Sequence, residues 1–326
     1  MPEQATPATG SDAGGPPDSG ATPATGPTAG ATPATGSAAG TPPDAATPPD
    51  AAAGPASHRS TPGPTPDPVA PVVVRLEQGV LEIVLNRPQA RNALGLPGAH
   101  AFLGAVARLA DPAVGCVLLR AEGEHFCVGG DLRDFAEADD VRDRVLRTAS
   151  AAHAAVLALA AAQVPVVTAV QGWAAGIGVS LAALGDVVVA SETARLRSAY
   201  TAIGFTPDGG LTYLLPGLVG LARAGDFVLT NRALSAAEAA DWGLVSRVVP
   251  DADLLSTATG IARELAAGPR RAHRVVRGLL RAGGLDGLRA ALDAEAAAIS
   301  AQAVTAEGRE GLAAFLERRA PDFGRH

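Results

Sequence analysis

From residue 71 onward the chain falls into short apolar runs of two kinds. VVVRLE at 72–77 and VLEIVLN at 80–86 alternate, or nearly alternate, around a Gln78-Gly79 pair, which is the pattern of a β-hairpin. After the polar loop RPQARNAL, apolar residues across 95–110 return every three or four positions and predict the first helix. GCVLLR at 115–120, PVVTAV at 165–170 and DVVVAS at 186–191 are almost continuously apolar, as strands buried on both faces are. A long helix is expected across roughly 139–162, and another opens in AAGIGVSLAALG, directly behind the second of these strands. Strands separated by helices predict an α/β fold with a largely parallel sheet covered on its faces. Beyond about 220 the pattern is helical throughout, in ALSAAEAADWGL, 252–267, the Arg-rich 270–281 and 286–318.

The first 70 residues carry no such pattern. They are almost entirely Ala, Pro, Thr, Gly, Ser and Asp, with ATPATG repeated at 5–10, 21–26 and 31–36, too little apolar surface to offset their ordering entropy. A disordered tail over 1–70, an α/β core over 71–250 and a helical C-terminal region over 251–326 are therefore expected. The tail lacks the basic start and apolar core of a signal peptide, and arginines and aspartates interrupt every apolar run well short of a membrane span. A cytoplasmic protein with no membrane partner is expected. The formal charge of −7 argues against nucleic acid as a partner. Cys116 and Cys127 are too few for a disulfide scaffold and wrongly spaced for zinc, so two buried thiols and no metal are expected. All 26 basic residues are arginine, which excludes chemistry through a lysine Schiff base. Five of them, Arg270, Arg271, Arg274, Arg277 and Arg281, lie near helical spacing and suggest a solvated face.

Two glycine-bearing strand-to-helix junctions carry the most chemical information. In QGWAAGIGVSLA, Gly172, Gly176 and Gly178 let the backbone turn tightly, and the helix that follows offers unpaired N–H groups from its first turn, Ile177 foremost. In HFCVGGDL, the N–H of Gly130 is placed to point into the same cleft, so the pair forms a candidate oxyanion hole. Neither junction has the GxGxxG spacing of a dinucleotide site or a Walker-type GK[ST].

LNRPQARNAL, HFCVGGDL, AVQGWAAGIGVSLA, GFTPDGG, ALSAAEAADWGLVSRVV and AFLERRAPDF follow one another in an order that resembles the crotonase superfamily, the enoyl-CoA hydratases and isomerases, over about 75–325. The resemblance implies a spiral of ββα repeats with a helical C-terminal region that assembles a homotrimer or a dimer of trimers. It implies an acyl-CoA thioester as substrate, coenzyme A entering as part of that substrate, and no permanently bound cofactor. The thioester oxygen would be held by the N–H groups of Gly130 and Ile177. Gln89, Ala90, Arg91 and Ala93, together with Gly130, Asp131, Leu132 and Arg133, would border the CoA. Phe315 and Arg318 would approach it from the C-terminal helix, and Tyr200 would face the acyl group. Read on its own, Asp131 is a helix cap.

The resemblance also exposes two absences. At the positions of the two hydratase glutamates this chain has Ser180 and Tyr200. Asp208, in TPDGG, stands where isomerases and an aromatic acyl-CoA dehalogenase of the superfamily carry an aspartate. Pro-Asp-Gly is also a strong turn signature by itself. With both hydratase acids missing, Asp208 becomes the expected acid/base of a 1,3-proton shift. Hydration by a reduced site and a non-catalytic CoA-binding subunit are the competing expectations.

Overall fold

The computed structural model describes residues 70–325, so the expected N-terminal tail lies outside the described residues except for Ala70. The hairpin forms as its pattern predicts. Strands β1 (Val72–Glu77) and β2 (Val80–Leu85) pair antiparallel, joined by Gln78 and Gly79, both with positive φ, the two-residue turn whose twist suits a hairpin. Helix α1 (Leu96–Ala107) follows, with Pro97 in its first turn, where the missing N–H costs nothing. Then come β3 (Cys116–Ala121), α2 (Leu132–Ala136) and the long α3 (Val141–Ala161). The next repeat adds β4 (Val166–Val170), β5 (Trp173–Ala175) and α4 (Ile177–Ala183), and the next β6 (Val187–Ser191) and β7 (Arg195–Arg197).

The main sheet runs β1-β2-β3-β4-β6-β9, parallel from β2 onward, where β9 is Arg247–Val249. A second sheet of short strands runs β5-β7-β8, with β8 at Ala233–Ser235. Isolated bridges Leu94↔Gly130 and Cys127↔Ala174 extend that layer. Each repeat thus gives one strand to the main sheet, a second short strand to the other layer, and then a helix, which is the expected ββα spiral. Period-2 alternation sends Val117 and Leu119 into the larger core and Cys116 and Leu118 into a smaller one on the opposite face. The smaller core is closed by α8 (Leu254–Ala267), which sets Leu254, Ala258, Ala262 and Ala266 against the sheet at a spacing of four. No helix among the described residues is long and apolar enough to cross a membrane.

The C-terminal half departs from its sequence pattern in three places. ALSAAEAADWGL is not helical throughout: β8 takes its first three residues, and Ser235 then caps α7 (Ala236–Asp241) by accepting the N–H of Glu238. After α9 (Arg270–Leu280), the expected single helix over 286–318 divides into α10 (Leu285–Gln302) and α11 (Ala306–Glu317), because Thr305 accepts the N–H of Gly308 and starts a new helix. The arginines of α9 do not form one solvated face. Arg277 is only 4% exposed, pairs with Asp186 at 2.6 Å and also donates to the carbonyls of Leu159, Ala160 and Ala162. Arg281 joins the same carboxylate at 2.9 Å. Helical spacing locates a stripe but not its partner, and the carboxylate at the start of β6 draws this one inward. Helices α5 (Leu211–Val219) and α6 (Leu221–Leu229) complete the chain.

Candidate active site

The two glycine junctions meet. A methyl group at Gly176, whose φ is +56°, would lie 3.0 Å from the Cα of Gly129, so only glycine permits both the turn and the approach. Among the hydrogen bonds of the described residues, none uses the N–H of Gly130 or of Ile177. Gly130 is bridged to Leu94 through the carbonyl of Gly129 and the N–H of Asp131, which leaves its own N–H unused, and Ile177 is the first residue of α4, where an α-helix has no internal acceptor. Cys127 lies against α4, completely buried, its carbonyl oxygen 2.3 Å from where a methyl at Gly178 would sit. Burial first, then the nearby Asp208 charge, pushes its thiol up to about 12 despite a hydrogen bond to the Gly129 backbone.

Asp208 borders this junction. It lies in the loop before α5, and Gly209, with φ +72°, packs so closely on α4 that a methyl there would be 2.7 Å from Ile177 Cγ1 and 3.0 Å from Ser180 Oγ. The Tyr200 hydroxyl donates to Asp208 Oδ1 at 2.5 Å and also lies 3.2 Å from the Asp208 carbonyl. The Ser180 hydroxyl donates to that carbonyl at 3.2 Å. The hydroxyls of Ser180 and Tyr200 therefore both hold Asp208. Tyr200 is buried, and desolvation, followed by the Asp208 charge, holds its phenol well above the usual range, so it remains a proton donor.

Two further residues hold the loop. His153 of α3 accepts the N–H of Gly209 at Nε2, 2.9 Å away. Glu295 of α10 accepts the N–H of Gly210 at 2.6 Å, and the N–H and hydroxyl of Thr212 at 2.9 and 2.6 Å. Burial raises the Glu295 carboxyl above its ordinary value against those donors. Sequence reasoning passes over both. The available signal is weak, a single polar residue on an otherwise apolar helical face.

The expected CoA-bordering residues divide into three groups. Gln89 and Ala90 belong to a 3-10 turn, Pro88–Ala90, and Arg91 ends it in left-handed backbone. Buried Asn92 ties this loop to the next by donating to the carbonyls of Glu122 and His125 and accepting the Arg87 N–H, which brings Ala93 and Leu94 beside Gly130. Asp131 caps α2, accepting the N–H groups of Arg133 and Asp134, and it pairs with Arg87 at 3.0 Å. Leu132 and Arg133 open that helix. Gln89 and Asp131 share a surface recess of about 240 Å³ with Arg87, Gly95 and Asp134. Phe315 and Arg318 are exposed on α11 and its end, and α11 packs against α2 and against the Thr201–Ile203 turn that follows Tyr200.

Residues 75–326 match the family model described as enoyl-CoA hydratase/isomerase. The chain is 35% identical over 259 residues to the 1,2-epoxyphenylacetyl-CoA isomerase of Escherichia coli K12, covering 77% of this chain and 97% of that one. It is 37% identical over 248 residues to a probable enoyl-CoA hydratase of Rhodobacter capsulatus, covering 76% of this chain and 95% of the relative. Among solved structures, an enoyl-CoA hydratase/isomerase from Pseudoalteromonas atlantica superposes with a TM-score of 0.71 at 32% identity, over 78% of this chain and all of the other.

Proposed function

The chain belongs to the enoyl-CoA hydratase/isomerase family, and from that premise we propose that it moves the double bond of an enoyl-CoA by a 1,3-proton shift, with Asp208 as acid and base. The thioester carbonyl accepts the N–H groups of Gly130 and Ile177. The Asp208 carboxylate takes a proton from the α-carbon of a 3-enoyl-CoA, and the electron pair enters a dienolate whose charge rests on the thioester oxygen. The same carboxyl returns that proton to the γ-carbon, giving the 2-enoyl-CoA, so one acid suffices and no water is consumed. Each N–H donor is worth about 3 kcal/mol to such a transition state.

The observation that carries this reading is the placement of one carboxylate, oriented by Tyr200, beside two N–H groups that have no other acceptor among the described residues, while Ser180 and Tyr200 stand where water-activating acids are needed. Gln89 to Ala93 and Gly130 to Arg133 border the CoA, and Phe315 and Arg318 meet it from α11. Hydration is the second reading, favoured by the similarity to the Rhodobacter capsulatus protein. The pure protein, incubated with 3-enoyl-CoA and with 2-enoyl-CoA in heavy water, separates the two. Isomerisation by the wild type that falls by about 10²–10⁴-fold in Asp208→Asn supports the proposal. Water addition that survives Asp208→Asn, without any double-bond shift, sinks it.

The same reading makes the protein a cytosolic homotrimer or dimer of trimers. Supporting it, Leu221, Leu229, Leu279 and Leu280 of the later helices are 71–80% exposed in the single chain. Sedimentation equilibrium is expected to give three or six chain masses, and a monomer at micromolar concentration contradicts it.

A further inference from the structure

The strongest unassigned group is the imidazole of His153, whose side chain is 6% exposed in the middle of α3. Its Nδ1 lies 3.0 Å from the carbonyl oxygen of Leu292 on α10, and its Nε2 lies 2.9 Å from the backbone nitrogen of Gly209. A carbonyl only accepts and a backbone N–H only donates. One protonation state satisfies both contacts, the neutral ring with its proton on Nδ1. The Nε2 lone pair then takes the Gly209 N–H and leaves Asp208 Oδ2, 3.7 Å away, without a partner from this ring.

We propose that His153 is the positioning residue of Asp208: neutral, it fixes Gly209 and leaves the carboxylate free to move protons, and protonated, it releases Gly209 and captures Oδ2. The proposal rests on Asp208 as the base of the isomerisation, and its geometry is also testable without substrate. Protonation of Nε2 sets one N–H against another at Gly209, while a closure of about 1 Å brings the new N–H within hydrogen-bond range of Oδ2. The titratable groups acting on the ring are Asp208 from the loop and Glu295 from α10. Burial pulls the imidazole down and these carboxylates pull it up, with the net direction upward. The Gly209 contact opposes that pull, since it needs an unprotonated Nε2. The ring is therefore balanced between two partners of the same loop.

Two variants and one spectrum test this. In His153→Gln the amide oxygen can accept the Gly209 N–H but cannot titrate. In His153→Asn the amide can still donate to Leu292 but cannot reach Gly209. Wild-type kcat is expected to fall on the acid side through an ionisation at or above about pH 6.5, and His153→Gln to keep most of kcat and lose that limb. His153→Asn is expected to lose about 10–100-fold in kcat with little change in KM, as a misaimed catalytic group does. Wild-type kcat in His153→Asn, or an acid limb unchanged in His153→Gln, overturns the proposal. Without substrate, ¹⁵N spectra of the imidazole and the Gly209 amide should show the Nδ1–H tautomer near pH 8 and a shift of the Gly209 amide as the ring titrates. A ring that titrates without moving that amide overturns it as well. If the wild type moves no double bond but the spectra follow this course, the isomerase reading falls and the positioning geometry stands.

Discussion

Tyr200 shows how one side chain can fix the orientation of a carboxylate. Its hydroxyl, 2.5 Å from Asp208 Oδ1, gives the carboxylate one fixed donor, and a phenol held well above its usual range keeps that proton at every working pH. Under the proposed isomerisation, Tyr200→Phe is expected to lower kcat about tenfold with KM nearly unchanged, because a hydrogen bond to a charged group is worth about 1.5–3 kcal/mol and acts on the Asp208 carboxylate. Steady-state kinetics on 3-enoyl-CoA decide it, and a purely raised KM contradicts it. At this scale the sequence was legible where chemistry is local. Gly130, Ile177 and Asp208 each sit in a short motif whose residue types state a backbone conformation. His153 and Glu295 were not legible, because they reach the Asp208 loop across sequence separations of 56 and 85 residues. A lone histidine in AAHAAV carries no period and no neighbour that betrays its partner.

At the scale of elements, α5 is preceded at its N-cap by Gly210, which has no side chain to cap the helix. Glu295 supplies the cap from α10, joining the end of the Asp208 loop to a helix far along the chain. Glu295→Gln replaces one acceptor oxygen by a donor facing donors, and is expected to cost about 1–3 kcal/mol in urea unfolding. The pH dependence follows from the same groups. Glu295 and His153 are both raised above their ordinary 4.5 and 6.5, so the folded chain binds their protons more tightly than the unfolded chain does. Their contribution to stability is present below those values and is lost as pH rises through the folded ones. The fall in stability as pH rises above about 4.5 should flatten in Glu295→Gln, and an unchanged slope assigns it elsewhere. Elements with a full period were legible: the hairpin, β3, β4, β6, α1, α3 and α8. The three-residue strands β5, β7, β8 and β9 were not, since so short a strand shows no alternation and forms because a neighbouring strand offers a ladder.

At the scale of the molecule, the parallel sheet separates two interiors, and each holds one cysteine. Cys116 lies under α8 in the smaller core, and Cys127 lies where the second layer of strands meets α4. Burial drives both thiols up to about 12, so neither is reactive while its cover is closed. The protein thus carries two internal clocks. Each thiol can be alkylated only during an opening of its own region, and in single-cysteine variants the labelling rate measures how often that opening occurs. Cys127 is expected to label faster than Cys116, because it is roofed by a junction built from three-residue strands. A non-reacting acyl-CoA analogue is expected to slow Cys127 alone. Equal rates, both tracking global unfolding, would mean that the site opens only when the whole sheet does. If the rates differ and the analogue slows only the faster one, the junction around Cys127 is the part of the molecule that breathes, and a ligand seated there is what stills it.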